Sequence, residues 1–266
     1  MDLGLKGRVA IVAAASQGLG KATALGFVRE GAHVVICGRD KKRIEAAGKE
    51  LRQHCASKKQ TVLPVVGDVS RLKDVKHVVK SAVEKFERLD ILVTNAGGPP
   101  SGSFADLSDD KWETGFAQNL LSVIRFMREV LPVMRKQQWG RVINITSLTV
   151  KQPVNDLIVS STLRPGIIGI AKVLANLHAS EGITINNVAP GYIMTGRQEE
   201  LGKMRAGKKG LSFDEYVRDV TKEVPAGRFG TPEELANVIV FLASERASYV
   251  TGTTLSVDGG LVKFLL

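Results

Sequence analysis

Short runs of hydrophobic residues alternate with longer amphipathic stretches along most of the chain. The runs have the length and composition of buried strands and lie at 9–13, 33–37, 61–66, 90–94, 141–145, 183–188 and 253–257. Between them, hydrophobic residues recur at helical spacing, at 21–31, 41–56, 70–86, 119–138, 157–179 and 231–244. Parallel neighbours need crossover connections, and their strands are buried on both faces. The pattern therefore predicts an α/β fold with a single doubly wound parallel sheet and helices on both faces.

Residues at the predicted element ends refine this pattern. Thr231-Pro232-Glu233-Glu234 combines a capping residue, a proline at the first helical position and acids in the first turn, so a helix is predicted to start there. Ser70 is predicted to cap the helix that ends near Phe86. Pro132 is predicted to kink its helix or to lie near its end. A strand is predicted over 61–66 despite Pro64.

The length of the chain fits one α/β domain that comprises residues 1–266. The alternation pauses between 192 and 224, where a polar, charged excursion is too long for a simple connection and predicts a lid or substrate loop. Lysine, arginine and glycine are concentrated over 196–210 within this excursion. The preferred interpretation is a mobile, solvated lid. The alternative is that the cluster over 203–209 meets an acidic or phosphorylated substrate.

Composition excludes several classes of protein. No window offers the ~18 uninterrupted apolar residues of a membrane helix. The N-terminus lacks the basic region and apolar core of a secretory signal, so a cytoplasmic protein with no membrane partner is expected. Cys37 and Cys55 are too few for a disulfide framework and lack metal-ligand spacing, so both are predicted to be free thiols and no metal site is expected.

The net charge of +10 raises the question of a nucleic-acid partner. The basic residues are spread along the chain, acids lie among several of them, and few aromatic residues are near them for base stacking. This distribution is typical of a solvated surface. No nucleic-acid partner is therefore expected.

Small residues follow the first predicted strand. The run from Val9 leads into 13–16 and then Gly18-Leu19-Gly20, which predicts a strand, a glycine turn and a helix. Such a turn lets backbone N–H groups approach a phosphate, and the helix N-terminus favours an anion. A tight turn of this kind also occurs in proteins that bind nothing, so the turn alone does not establish a nucleotide site.

Turn-forming and polar residues follow other predicted strands as well. They are Arg39, Asp68, Asn95 to Gly97, Thr146-Ser147 and Pro190-Gly191. In doubly wound sheets, ligands bind beyond the carboxyl ends of the strands, where the winding reverses. The convergence of these residues on one crevice predicts a Rossmann-type dinucleotide site.

These motifs together resemble the short-chain dehydrogenase/reductase family over nearly the whole chain, in particular its ketoacyl-reductase-like and glucose-dehydrogenase-like members. Asn95-Ala96-Gly97 resembles the motif after the fourth strand, and Asn119 the asparagine of the following helix. Ile145-Thr146-Ser147 resembles the segment with the catalytic serine, and Pro190-Gly191 with Thr195 the loop on the nicotinamide side. The C-terminal Val257-Asp258-Gly259-Gly260 is also similar. The resemblance implies an oxidoreductase that acts on a carbonyl or alcohol and forms a homo-oligomer, a tetramer or a dimer.

The opening loop departs from the family pattern. Where the family has Thr-Gly, this chain has Ala13-Ala14. If the backbone at Ala14 has a positive φ, the added methyl group is expected to cost roughly 1 kcal/mol or more. Because Gly18 and Gly20 remain, cofactor binding is still predicted.

The end of the second strand predicts the choice of cofactor. NAD-selective sites place an acid there, whereas the 2′-phosphate of NADP calls for arginine. This chain has Gly38 at the position of the acid, and Arg39 follows it. NADP is therefore the predicted cofactor. Asp68-Val69 resembles the pair that contacts the adenine.

The second departure affects the chemistry. The family has Tyr-x-x-x-Lys in the helix after the serine, and the aligned positions here are Ser160 and Arg164. The tyrosine donates a proton to the carbonyl, and the lysine lowers its pKa. An aliphatic alcohol is a far weaker acid than a phenol. Arg164 keeps a positive charge near the ribose but does not release a proton at physiological pH.

Three interpretations of this departure stay open. In the first, Ser147 and Ser160 polarise a carbonyl, Arg164 holds the nicotinamide ribose, and a water chain through Asn119 delivers the proton. In the second, Tyr192 or Lys151 takes over proton transfer. In the third, the protein is a catalytically inactive NADP-binding sensor or scaffold.

The resemblance and the residue patterns give two sets of predicted site residues. The predicted catalytic set is Asn119, Ser147, Ser160 and Arg164. The predicted cofactor-binding set is Ala14, Ser16, Gln17, Gly18, Leu19, Gly20, Arg39, Asp68, Val69, Asn95, Ala96, Gly97, Thr146, Arg164, Pro190, Gly191, Ile193 and Thr195.

Overall fold

The computed structural model describes residues 1–264, and positions 265 and 266 of the predicted domain lie outside the described residues. Within the described part, a parallel seven-stranded sheet has the order β3-β2-β1-β4-β5-β6-β7. The strands are β1 (Val9–Val12), β2 (His33–Gly38), β3 (Val62–Val66), β4 (Ile91–Thr94), β5 (Gly140–Ile145), β6 (Ile183–Pro190) and β7 (Thr254–Val257). The winding reverses between β1 and β4, where Ile11 is in register with Leu92. The predicted fold class is confirmed.

Helices connect successive strands and cover the two faces of the sheet. They are α1 (Gly18–Arg29), α2 (Lys41–Arg52), α3 (Leu72–Phe86), α4 (Asp109–Phe116), α5 (Ser122–Gln137), α6 (Ile158–His178), α7 (Gly196–Lys208), α8 (Phe213–Thr221) and α9 (Pro232–Leu242). Successive side chains of a strand point to opposite faces. Ala10 and Val12 accordingly pack with α1, α2 and α9, while Val9 and Ile11 pack with α3, α5 and α6.

Pro64 and Pro132, the two prolines considered in the sequence analysis, fit their surroundings. β3 is an edge strand, so the missing N–H of Pro64 does not interrupt a ladder in the centre of the sheet. Pro132 lies inside α5 on its exposed side, and the helix continues to Gln137. The carbonyl left unpaired by this proline belongs to Arg128, which is also exposed, so water can reach it.

Helix starts agree with the sequence in one case and differ in another. Thr231 caps α9 in a capping box with Glu234, and Pro232 is the first residue of the helix, as predicted. The predicted cap at Ser70 is wrong, because α3 starts at Leu72 and its capping position is Arg71. The Ser70 hydroxyl instead donates to Asp68 Oδ1 at 2.7 Å. The nearby carboxylate competes successfully for the serine that would have capped the helix.

The excursion between β6 and α9 contains α7 and α8, which pack on one another. Thr195 caps α7 by accepting from the Gln198 N–H, and Ser212 caps α8 in a capping box with Glu215. Arg205 of α7 forms an ion pair with Asp156 at 2.5 Å. The excursion is therefore helical and is tied to the loop before α6.

The segment Ile158–Glu181, which includes α6, is long and apolar enough to cross a membrane by length and average composition. The sequence predicts no membrane helix by the criterion of an uninterrupted run of apolar residues. Arg164 and Lys172 interrupt this segment, so it does not meet that criterion. Ile167, Ala171 and Ala175 of this helix are buried in the core against β6. This burial is typical of a core helix.

Candidate active site

A cleft of about 490 Å³ opens at the carboxyl ends of the strands, across the point where the winding reverses. Its walls come from the loops after β1, β2, β3, β4 and β5, together with α6 and the start of α7. The predicted residues that line it are Ala14, Ser16, Gln17, Gly18, Leu19, Arg39, Asp68, Val69, Asn95, Ala96, Gly97, Thr146, Arg164 and Thr195. We call the part next to Arg39 and Asp68 the adenosine half, and the part next to Arg164 and Thr195 the nicotinamide half.

The opening loop is held in a strained and closely packed form. Ala14 has φ 48°, in the left-handed region, so the methyl group that replaces the family's glycine is accommodated with strain. Asn95 Nδ2 donates to the carbonyls of Ala13 and Ala14, both at 3.2 Å. A Cβ at Gly20 would lie 2.7 Å from the Ala14 carbonyl oxygen, so only glycine fits there. Gly20 thus lies behind the loop and supports its shape without lining the cleft.

The adenosine half has a free cation one residue after Gly38, the position at which an NAD site has an acid. Asp40 accepts from the Arg43 N–H at 2.9 Å and caps α2, and its carboxylate lies 3.8 Å from Arg43 Nε. The exposed side chain of Arg39 has no such partner among residues 1–264. A cation free at this edge of the cleft fits a phosphate group.

Arg164 is the central residue of the nicotinamide half. It reaches from α6 to the end of β5, where Nη1 donates to the carbonyls of Ile145 and Thr146. Its Nη2 donates to Asn119 Oδ1 at 3.2 Å. Burial lowers the pKa of Arg164 to about 10, and the nearby positive charge of Arg197 acts in the same direction. The buried Nε has no hydrogen-bond partner among the residues that the structure describes, so the cation keeps a donor for a ligand.

Asn119 is presented by an irregular helical segment. It lies in a π-helical turn, Ala117–Leu121, between α4 and α5. Such turns often occur at functional sites. Its Nδ2 donates to the Gly115 carbonyl at 3.3 Å, while its Oδ1 accepts from Arg164. Both ends of the buried amide are therefore engaged, and Asn119 fixes the position of the guanidinium.

A cluster of three hydroxyl groups lies next to Arg164. Ser160 Oγ and Thr149 Oγ1 are 2.9 Å apart and both are buried. The Thr149 N–H donates to Ser147 Oγ at 3.2 Å. Thr149 was not among the predicted residues. The sequence signal for it was Ser160, because a serine in place of the family's larger tyrosine leaves room for a neighbouring side chain.

The other predicted residues are not part of the described cleft lining: Gly20, Asn119, Ser147, Ser160, Pro190, Gly191 and Ile193. Pro190 ends β6, Gly191 packs against Asp258, and Ile193 pairs with Gly230. These contacts fix the course of the loop that leads to Thr195.

The structure disfavours one of the two alternative proton donors, Tyr192. Tyr192 packs on Phe229 with ring centroids 5.7 Å apart. Burial and neighbouring acidic groups raise the pKa of Tyr192, which makes it a weaker acid. Lys151 follows the turn after Ser147 and, like Ser147 and Ser160, is not part of the described cleft lining, so its position does not separate it from them.

Three residues that the sequence analysis did not single out also line the nicotinamide half: Gly98, Gln118 and Arg197. Gln118 Nε2 donates to the Gly97 carbonyl at 3.3 Å. Arg197 belongs to the basic stretch 196–210, but its sequence position alone did not separate it from the lysines and arginines that follow.

Similarity to known proteins extends over the whole chain. Residues 13–262 match the family described as Enoyl-(Acyl carrier protein) reductase. The chain is 35% identical to the 3-oxoacyl-[acyl-carrier-protein] reductase FabG of Thermotoga maritima, covering 97% of this chain and 99% of that protein. It is 32% identical to the uncharacterized oxidoreductase YvrD of Bacillus subtilis, with 100% of both chains covered.

Solved structures of similar fold include cofactor complexes. L-sorbose reductase from Gluconobacter frateurii, complexed with NADPH and L-sorbose, has a TM-score of 0.94 and 34% identity over 100% of both chains. A single-residue variant of the actinorhodin polyketide ketoreductase, solved with NADPH, has a TM-score of 0.91 and 31% identity, covering 97% of this chain and 98% of that one. By the matched family, these relatives and the sheet that it shares with them, the chain belongs to the short-chain dehydrogenase/reductase family.

Proposed function

We propose that this protein is an NADP-dependent oxidoreductase that transfers a hydride between nicotinamide and a carbonyl or alcohol substrate. The observation that carries the proposal is the placement of Arg164. This buried cation borders the cleft, is held by Asn119 and two strand carbonyls, and keeps Nε without a partner within residues 1–264. Relatives named as reductases, and solved neighbours that contain NADPH, support the same reaction class.

NADP fits the residues that form the cleft. Gly18 begins α1 and places backbone N–H groups where a pyrophosphate would lie. The exposed guanidinium of Arg39 suits the 2′-phosphate of NADP. Gly38 has no side chain, so the acid of an NAD-selective site, which would repel this phosphate, is absent. In this arrangement, the guanidinium of Arg164 lies next to the nicotinamide ribose. Bound NADP supplies or accepts the hydride.

The hydroxyl groups near Arg164 can polarise a carbonyl. In the proposed site, the hydroxyls of Ser147 and Ser160 donate hydrogen bonds to the substrate oxygen, and the charge of Arg164 stabilises the negative charge that develops on it. Ser160 remains bonded to Thr149, which orients its hydroxyl. Water that reaches Asn119 supplies the proton, because neither hydroxyl ionises near neutral pH and Asn119 keeps one amide N–H and one lone pair of Oδ1 beyond its two bonds.

One observation favours the alternative of a catalytically inactive NADP-binding sensor or scaffold. The cleft lining, as far as the structure describes it, contains no Tyr, His, Cys or Lys, the side chains that most often exchange a proton near neutral pH. A binder would keep Arg39 and the glycine loop and would have no need of an acid at position 160.

Titration with NADPH and NADH, followed by a panel of ketones and aldehydes monitored at the nicotinamide absorbance, separates the two proposals. The oxidoreductase should bind NADPH more tightly than NADH and turn over at least one carbonyl, and Ser147→Ala should slow that turnover. Tight NADPH binding with no turnover, unchanged in Ser147→Ala, would support the sensor. No NADPH binding by the folded protein would contradict both.

We also propose that residues 1–266 form a single domain whose excursion over 192–224 is a lid above the substrate, and that the protein works in the cytoplasm as a homo-oligomer, a dimer or a tetramer. Support for the oligomer comes from the apolar side chains on the outer face of α6, where Val173 and Leu177 are 58% and 63% exposed. Light scattering on the purified protein and on Leu177→Glu would test it. A monomeric mass for the unmodified protein would contradict the oligomer.

A further inference from the structure

Arg197 is a cation held over the cleft by the first turn of α7. Its guanidinium lies flat against Gly98, because a Cβ built on Gly98 would be 2.9 Å from Nη2 and 3.0 Å from both Cζ and Nε. The absence of a side chain at Gly98 therefore makes room for the guanidinium. Both residues line the nicotinamide half.

Two of the other three cations of α7 have acidic partners, and the third, Lys208, has none among residues 1–264. Lys203 Nζ lies 2.6 Å from Glu199, and Arg205 lies 2.5 Å from Asp156. Within residues 1–264, Arg197 has neither an ion pair nor a side-chain hydrogen bond. Its charge is thus available to a ligand in the cleft.

A second unpaired cation faces the same space. Arg164 is bonded only to neutral oxygen atoms of the described chain, and its buried Nε is unpartnered there. Arg197 is near enough that its charge disfavours the charged form of Arg164. The carboxylates in the described cleft lining, Asp40 and Asp68, belong to the adenosine half, so neither separates the two arginines. Arg164 is buried and Arg197 is exposed beside it, and an anion between these two like charges would stabilise both.

The backbone at this point also favours an anion. Thr195, the cap of α7, lies opposite Gly18 at the start of α1, because a Cβ at Gly18 would be 3.7 Å from Thr195 Cγ2. Two helix N-termini with their unpaired N–H groups therefore meet beside Arg197. The positive charge, the donor groups and the unpartnered Nε converge on one place.

We propose that Arg197 and Arg164 form an oxyanion site, at which a phosphate or carboxylate group joins α7 to the body of the protein and closes the lid over the nicotinamide half. The inference rests on the proposed function, because that function places a ligand in this cleft. Two sources can supply the oxyanion: the pyrophosphate of the cofactor, or a carboxylate next to the reacting carbonyl of the substrate.

Arg197→Ala tests the site, with Arg197→Lys to keep the charge and Lys208→Ala as the matched control. Lys208 is an exposed cation at the other end of α7, away from the cleft. One arm measures NADPH binding by nicotinamide fluorescence at low and high salt. The other arm measures how far oxalate, compared with neutral oxamide, raises the melting temperature of the NADP-bound protein.

If the pyrophosphate occupies the site, Arg197→Ala should weaken NADPH binding at least tenfold at low salt and less at high salt, with Arg197→Lys intermediate and Lys208→Ala unchanged. If a substrate carboxylate occupies it, NADPH binding should be unchanged, and the stabilisation by oxalate should be present in the unmodified protein and lost in Arg197→Ala. An effect in neither arm, or the same effect in Lys208→Ala, would overturn the inference.

These outcomes are independent of the outcome for catalysis. Turnover of a ketone with no effect of Arg197→Ala in either arm would reject the oxyanion site and leave the oxidoreductase in place. Loss of NADPH or oxalate binding in Arg197→Ala, in a protein that turns over no carbonyl, would reject the oxidoreductase and leave the oxyanion site in place.

Discussion

The two halves of the cleft treat positive charge in different ways. In the adenosine half, Arg39 is exposed to water, and Arg43 lies beside Asp40. In the nicotinamide half, Arg164 is buried without a carboxylate partner in the described chain, and Arg197 adds a second cation. An exposed cation has little effect on the stability of the fold and contributes mainly to affinity when a ligand pairs with it. A buried cation also needs hydrogen-bond partners within the protein for the fold to be stable. The difference indicates recognition in the first half and charge stabilisation in the second.

Arg164→Ala should have the largest effect, because it removes the cation from the buried half. We expect kcat/KM to fall by about 10²–10³, the usual result of losing one preorganised donor to a developing oxyanion. The Asn119 amide oxygen and two strand carbonyls would lose their donor, so the melting temperature should fall as well. Steady-state kinetics and thermal unfolding measure the two effects.

Arg164→Lys is the matched control for this change, because it keeps the charge and loses the fork of donors. Its loss in kcat/KM should be smaller than that of Arg164→Ala. Equal losses in both variants would show that the geometry of the guanidinium matters and its charge does not. No loss in either would remove Arg164 from the mechanism.

Arg39→Ala should have the next largest effect, and only on the choice of cofactor. Loss of a hydrogen-bonded ion pair of this kind costs about 1.5–3 kcal/mol, so NADPH binding should weaken about 10–100-fold. NADH lacks the 2′-phosphate, so its binding should change little. Fluorescence titration with both cofactors measures the ratio.

Arg43→Ala is the control at the same edge of the cleft. Arg43 is already beside Asp40, so its removal should change NADPH affinity less than removal of Arg39. Equal weakening of NADPH and NADH in Arg39→Ala would contradict the phosphate role, and a larger effect of Arg43→Ala would transfer that role to Arg43.

The adenosine half could be predicted from sequence because its signals are local. A glycine turn after a strand, an arginine one residue after the usual position of an acid and an asparagine after β4 each lie within a few residues of a strand end. Parallel strands bring those ends to one edge of the sheet, so the alternation pattern was enough to place Gly18, Arg39 and Asn95 at one cleft.

The nicotinamide half depends on contacts between distant parts of the chain. The pairing of Thr149 with Ser160 and the stacking of Arg197 on Gly98 follow from how α6 and α7 lie over the sheet ends. No spacing in the sequence encodes those distances. The wrong cap at Ser70 has a different cause, because there a local contact with Asp68, two residues away, prevailed over the helix preference.

Ala14→Gly should have a smaller effect, on stability. Ala14 has φ 48°, a conformation that costs an alanine about 1 kcal/mol more than a glycine. The variant should therefore unfold at a melting temperature about 2–4 °C higher, as expected for a chain of this size. Thermal unfolding of the protein without cofactor measures it.

Ala13→Gly is the control, because Ala13 precedes Ala14 outside the left-handed region and is buried. Glycine there should lower the stability by roughly 0.5–1 kcal/mol. A lower melting temperature in both variants would contradict the strain at Ala14 and would show that the methyl group is stabilised by its packing.

The smallest expected effect is that of pH on turnover. Its pH profile separates charge stabilisation by Arg164 from proton transfer by an ionising side chain. Burial lowers the pKa of Arg164 to about 10, so this group stays charged from pH 6 to pH 9 and loses its proton only as the pH rises through about 10. Serine and threonine hydroxyls do not ionise in that range, and the pKa of Tyr192 is raised further away from it. The value of kcat/KM, measured over pH 6–9, should therefore change less than about twofold, because an ionising catalytic acid is required for a larger step.

Ser160→Tyr combined with Arg164→Lys is the matched variant for this pH profile. It restores a phenol beside a cation, so a step in kcat/KM should appear as the phenol ionises. A step in the unmodified protein that disappears in Tyr192→Phe or Lys151→Met would assign proton transfer to that residue and contradict the hydroxyl mechanism. A flat profile in the unmodified protein together with a step in the double variant would instead tie the pH dependence to the side chain at position 160.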